Sequence, residues 1–261
     1  MTRRRDVLWL VPSLAGFSIF YVIPFFESLY YAFVDNAFSK RFAGFGNFAA
    51  LFKNEQFRTA LINTMKFLLL SVPMEMVLST VLALAAVRLA AKIPFVRSAF
   101  FLPVILPSAC IVVLWQQYMA DSPPFGTLLF IYLWKYSGMN MMVMLSALCG
   151  VDESLTDAAR MDGAGPWRLA VKVLLPCTAP ALFFNLILSL VNSLKIFRES
   201  YLLYGSHPDS EVYMLQNYLN NHFEKLNYQN IAAAAIIFAA AVYAAAAVIL
   251  AAEKRWSEQV W

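Results

Sequence analysis

The chain has 261 residues, of which 61% are apolar, 15% aromatic and only 14% charged, with a formal net charge of +4. A soluble domain carries about 25% charged and about 45–50% apolar residues, so a water-soluble globular enzyme and a disordered chain are both excluded. No cluster of Lys and Arg extends beyond Arg3-Arg4-Arg5, which excludes the basic footprint of a nucleic-acid binder.

A helix that crosses a bilayer needs about 20 mostly apolar residues. Six stretches meet that requirement: residues 7–33, 61–89, 94–119, 127–149, 177–197 and 231–252. The expected fold class is all-α, a polytopic membrane protein with six transmembrane helices forming one domain over 1–261. Pro12, Pro24, Pro73, Pro103 and Pro107 fall inside spans, where neighbouring helices can satisfy the carbonyls they free. The apolar run after the N-terminal arginines is too long for a signal peptide and has no small-x-small site, so a retained first span is expected.

Six spans place both termini on one side, and the basic residues say which. Eleven lie on the terminal side: Arg3, Arg4, Arg5, Arg88, Lys92, Arg97, Arg160, Arg168, Lys172, Lys254 and Arg255. Five lie opposite: Lys40, Arg41, Lys53, Arg58 and Lys225. The termini are therefore expected in the cytoplasm, with segments 34–60, 120–126 and 198–230 outside. Cys110, Cys149 and Cys177 have neither ligand spacing nor a disulfide pattern and read as buried structural thiols.

The longest cytoplasmic segment, 150–176, lies between the fourth and fifth spans. Asp152 and Glu153 suit a helix N-terminus, and Leu155, Ala158 and Ala159 share one face at i, i+3, i+4. Gly163 is placed to stop that helix in a left-handed conformation, and Pro166 to start the next. A short helix bearing small residues at a membrane surface cannot bury itself and is suited to a partner's groove.

These residues resemble the EAA motif of ABC-importer permeases, the binding-protein-dependent inner membrane components. Asp157-Ala158-Ala159 stands for the Glu-Ala-Ala triplet, Asp162-Gly163-Ala164 for the central Asp-Gly-Ala, and Trp167 and Leu175-Pro176 complete the pattern, with Pro180 following. Two departures are Asp157 in place of Glu and Asp152 where Pro is common. The resemblance implies a coupling helix seated in a cleft of a cytoplasmic ATPase, with Asp157, Ala158, Ala159, Asp162 and Gly163 as the coupling residues. It implies an acidic residue able to pair with a basic ATPase side chain.

Pro24, the stretch Phe42-Ala43-Gly44-Phe45-Gly46-Asn47-Phe48, Asn63-Thr64 and Leu102-Pro103 resemble the carbohydrate-uptake branch, the maltose- and glycerol-phosphate-type first permease. The short connection 120–126 departs from it. The implied partners are a second, similar permease, two ATP-binding cassette subunits, an extracytoplasmic substrate-binding protein, a carbohydrate and membrane lipid. This chain binds no cofactor in that reading; ATP and Mg are used by the partner ATPase. An importer for a non-sugar solute, or a secondary transporter without an ATPase, are the alternatives.

Asn185, Ser189 and Asn192 recur at i, i+4, i+7 in the fifth span, beside Ser193, and read either as interhelical hydrogen-bond glue or as a polar stripe along a sugar path. Trp134 and Tyr132 read as sugar-stacking or interfacial aromatics. Glu75, inside the second span, is expected to pair with Lys135 or Lys195. His207 and His222 lie in outer loops without ligand spacing. Segment 201–228 reads as loop or as a contact for the binding protein. No phosphate-binding loop, H-E-x-x-H or G-x-S-x-G is present, so no catalytic residue is assigned.

Overall fold

The computed structural model describes residues 3–35, 41–87 and 94–260. Lys40, Arg88 and Lys92, and the expected end of the second span at Leu89, lie outside the described residues. Every regular element among those residues is helical. Five helices are long and apolar enough to cross a membrane: Leu10–Tyr31, Glu55–Val87, Pro124–Cys149, Ala179–Tyr204 and Tyr228–Trp256. A sixth crossing exists only as a bent pair.

The chain divides into two compact units. Unit one comprises Met1–Ala60 and Leu215–Val242. Here α1 (Arg3–Phe17) and α2 (Ile23–Tyr31) are joined by a π-helical stretch, Ser18–Val22. The cause is Pro24: it has no N–H, and its ring crowds the carbonyl of Phe20 one turn back, so the ladder widens there. Asn47, on α3 (Gly46–Lys53), donates Nδ2 to the Ala32 and Val34 carbonyls at 2.9 and 2.8 Å, covering acceptors that the end of α2 leaves open. Phe57 and Tyr218, both fully buried, meet edge to face at 5.4 Å between α4 (Glu55–Val87) and a later helix of this unit, Leu215–Glu224.

Unit two comprises Leu61–Met214 and Tyr243–Trp261. Its elements are α5 (Pro94–Ile105), α6 (Ser108–Gln116), α7 (Pro124–Cys149), α8 (Glu153–Met161), α9 (Pro166–Leu169), α10 (Leu175–Cys177), α11 (Ala179–Lys195) and α12 (Phe197–Tyr204). The most buried span is α7, with 61% of its apolar window inside the chain. Around it pack Phe67, Ile111, Leu128, Ile131, Tyr132 and Ile196 in one cluster, and Ala83, Ala86, Met144 and Leu148 in another. Gly138 admits α5 to α7: a Cβ there would run into the backbone carbonyl of Phe100.

The third span is bent at one of its prolines: α5 and α6 meet at 102° across Leu106–Pro107, where Pro107 offers no N–H to continue the ladder. Two expectations are corrected. The fifth span does not end near Phe197; helix continues through Ile196 into α12, so Arg198 and Glu199 lie inside it rather than in an outer loop. Cys110, Cys149 and Cys177 are exposed on the chain surface, not buried. An apolar stretch in a bilayer can face lipid or another subunit, so hydropathy alone does not imply burial within the chain.

Gly138→Val should strain the α5–α7 contact by about 1–3 kcal/mol, the typical cost of overpacking. Thermal unfolding of the purified protein in detergent measures it; an unshifted midpoint would show that the two helices do not approach this closely.

Candidate functional site

The segment between α7 and α11 is built by short-range rules. Asp152 caps α8: its Oδ1 accepts from Ser154 N–H at 2.9 Å, and those bonds hold its carboxyl below the usual carboxylate range. At the other end Gly163 takes φ +75°, its N–H donates to Arg160 O at 3.0 Å, and Ala164 N–H donates to Ala159 O at 2.9 Å. That pair of bonds is a Schellman closure, which needs a left-handed residue where glycine stands. Pro166 opens α9, and a second π-helical stretch, Ala170–Leu174, precedes Pro176 as the first precedes Pro24.

The outward side of this segment mixes large apolar residues with charged ones. Leu155 is 49% exposed, Met161 88% and Trp167 78%. Ala158 is exposed and Ala159 half-buried, while Asp157 and Asp162 are exposed. Asp157 Oδ1 accepts from Arg160 Nη1 at 3.1 Å. An exposed i, i+3 pair of this kind is worth only about 0.3–0.5 kcal/mol, so a partner's cation can displace Arg160 at little cost. Behind α8 lies a cavity of about 690 Å³, lined by Thr156, Asp157 and Arg160 of α8, Leu84 and Val87 of α4, and Leu148 of α7.

The polar stripe on α11 is buried against α7. Asn185 Nδ2 donates to Asn140 O at 2.9 Å. Asn140 Nδ2 donates to Ser189 Oγ at 2.8 Å and to Glu75 Oε1 at 3.1 Å, and Tyr132 O–H donates to Ser189 O at 2.9 Å. Asn192 Oδ1 accepts from Lys195 Nζ at 3.1 Å, and Ser193 O–H donates to Leu190 O at 2.7 Å. Trp134 is not part of this seam. It lies about 200° around α7 from Tyr132 and meets Trp115 edge on at 5.2 Å.

Glu75 does not pair with either lysine. Lys135 forms an ion pair with Glu199 at 2.6 Å, and Lys195 serves Asn192. The reason is rotation: Lys135 and Asn140 are five residues apart on α7, hence about 140° apart around its axis, and only Asn140 faces α4. Sequence reasoning missed Asn140 and Glu199. Asn140 was legible as the lone amide in the Met-rich half of α7; Glu199 was hidden by its placement in a supposed loop. His207 Nδ1 lies 2.9 Å from Ser206 Oγ, and His222 Nδ1 lies 3.0 Å from Tyr218 O, with burial pushing His222 below its ordinary range.

The chain is a helical membrane domain fastened by polar side chains, with one exposed helix–turn unit between two spans. Over 99% of this chain and 97% of the other, it superposes at TM-score 0.79 and 24% identity on a chain in the crystal structure of a bacterial ABC transporter involved in import of the acidic polysaccharide alginate. Residues 43–258 match the family of binding-protein-dependent transport system inner membrane components, and the chain belongs to that family. Among curated relatives, it is 26% identical over 231 residues to the probable starch degradation products transport system permease protein AmyD of Thermoanaerobacterium thermosulfurigenes, covering 80% of this chain and 79% of the relative. It is 27% identical to the lactose transport system permease protein LacF of Rhizobium radiobacter, covering 74% of each.

Asn140→Leu strips Glu75 of its donor inside the membrane and should cost about 1–3 kcal/mol, the penalty of leaving a buried polar group unmet. Ser189→Ala should cost less, because Asn140 keeps Glu75. Unfolding midpoints of the two variants in one detergent rank them; the opposite order would disprove the hub role of Asn140.

Proposed function

We propose that this chain is the permease subunit of an ATP-driven importer for a sugar or related carbohydrate, forming half of the translocation path by alternating access. The observation that carries this is the α8–Gly163 unit, an exposed short helix closed by a hydrogen-bonded turn and set between two apolar spans. In this reading Asp157, Ala158, Ala159, Asp162 and Gly163 sit in a cleft of an ATP-binding cassette subunit, where ATP and Mg²⁺ are used. The names of the starch-product and lactose relatives support a carbohydrate over another solute.

A second permease is supported by the first span. None of the apolar window of Leu10–Tyr31 is buried inside the chain, so its partner surface must come from lipid or another subunit. An extracytoplasmic binding protein delivers the solute, and both termini are cytoplasmic by the distribution of basic residues. The path is placed along α11, where Asn185 Oδ1 and Asn192 Nδ2 are buried without partners; they meet sugar hydroxyls only where the α7–α11 seam opens. Trp134 joins the path only if its edge contact with Trp115 opens.

Orientation is checked with single cysteines in a background lacking the three native, exposed thiols. Ala164→Cys should react with an impermeant maleimide only from the cytoplasmic side, and Asp209→Cys only from outside. The reverse pattern overturns the topology.

Coupling is checked in the assembled complex. Ala159→Trp puts a bulky ring beside the small side chain of Ala158, Gly163→Val strains a left-handed turn, and Asp157→Lys inverts a charge. Each should lower binding-protein-stimulated ATP hydrolysis and oligosaccharide uptake together by at least about tenfold, equivalent to about 1.4 kcal/mol of docking energy. Parent-like hydrolysis and uptake in both Ala159→Trp and Gly163→Val would remove α8 from the coupling role.

A further inference from the structure

One buried carboxylate in unit two takes part in neither the α8–Gly163 unit nor the α11 stripe. Glu199, fully buried in the first turn of α12, uses a single oxygen twice: Oε1 accepts from Lys135 Nζ of α7 at 2.6 Å and from Ser108 O–H of α6 at 2.7 Å. Its other oxygen, Oε2, is buried without a partner. The carboxylate is therefore aimed at two specific donors and is not spread over its surroundings.

Ser108 is not an arbitrary partner. It is the first residue of α6, directly after the Leu106–Pro107 break where α5 and α6 turn through 102°. A helix interrupted inside a membrane leaves backbone groups unmet on both sides of the break. Pro107 O takes up two of the freed amides, accepting from Cys110 N–H and Ile111 N–H at 3.0 and 3.2 Å. Those local bonds do not by themselves fix the angle between the two arms. The bond from Ser108 to Glu199 runs out of the joint to another helix, and Lys135 holds that carboxylate from a third.

Energetics argue against a role in bulk stability. Removing two charges from water offsets much of what their attraction returns, so a buried ion pair is weak evidence for stability. Ile111, Tyr132, Tyr136 and Ile196 belong to one buried apolar cluster, and Lys135 Nζ stands 5.4 Å from the Tyr136 ring. In such surroundings the pair tolerates few alternative arrangements.

We propose that Glu199 is a positioning residue: held by Lys135, it grips Ser108 and thereby fixes the bent joint of the third span. The proposal concerns the path's architecture and holds whatever solute the importer carries. Neutralising Glu199, or removing the Ser108 hydroxyl, frees α5 and α6 to sample straighter geometries.

The joint can be read by distance. Nitroxide labels at Ser98→Cys and Gln116→Cys, both exposed and one on each arm, report the bend in the full-length protein reconstituted into liposomes with native thiols replaced. Collinear arms would separate these positions by about 27 Å at 1.5 Å per residue, and the bent joint brings them much closer. The parent should give one short, narrow distance. Glu199→Gln and Ser108→Ala should each add a longer, broader population, and the exchange Lys135→Glu with Glu199→Lys should restore part of the short one. A purely stabilising pair would lower the unfolding midpoint and leave the distance unchanged. If Glu199→Gln does not insert, Ser108→Ala decides the matter, since it removes one hydroxyl and leaves the ion pair intact. A parent-like distance in Ser108→Ala overturns the proposal.

Discussion

In a bilayer a polar side chain has no water to turn to, so it bonds back to its own helix or finds a partner on another. In unit two most of the interhelical bonds meet on α7. Asn140 reaches α4 through Glu75 and α11 through Ser189, Asn185 returns a bond to the Asn140 carbonyl, and Lys135 reaches α12. Bonds of this kind between membrane helices average only about 0.6 kcal/mol. What they set is rotation and register, since a helix turned by one residue would leave Glu75 or Ser189 facing hydrocarbon. Gly138 adds the steric half of the same constraint by letting α5 come close to α7.

Hydropathy revealed that the spans exist because the bilayer imposes a length and composition that every crossing must meet. It misplaced the fifth span's end because Arg198 and Glu199 look like loop residues when each charge is counted alone. Glu199 is admitted to the interior by Lys135, a residue 64 positions earlier, and no local window contains both. The same limit explains Glu75. Composition supplied the available cations, Lys135 and Lys195, but not the direction each faces around its helix.

The segment from Asp152 to Pro166 was legible almost residue by residue, and the contrast is physical. Capping by Asp152, closure at Gly163 and initiation at Pro166 each act within a few residues, so the information lies next to the structure it specifies. The α11 stripe falls between these cases. Its i, i+4, i+7 spacing identified a face, and Asn185, Ser189 and Asn192 are all buried, yet the spacing could not say that α7 covers that face. Nor could it reveal that Asn185 Oδ1 and Asn192 Nδ2 would be left without partners.

The two π-helical stretches connect these parts of the argument. Each lies just before a proline and contains the carbonyl that the proline ring would otherwise strike, Phe20 for Pro24 and Lys172 for Pro176. The helical path is therefore widened at these points and not broken, in contrast to the turn at Pro107. From Pro166 the chain runs through α9, the π stretch and α10 to α11, interrupted only at Thr178, whose hydroxyl donates back to Leu174 O at 2.9 Å. In the proposed cycle, a displacement of α8 by an ATPase would pass along this connection to the helix that carries Asn185, Ser189 and Asn192. The Gly163 closure matters for that reason: a slack turn would absorb the displacement, whereas two backbone hydrogen bonds across a left-handed glycine transmit it.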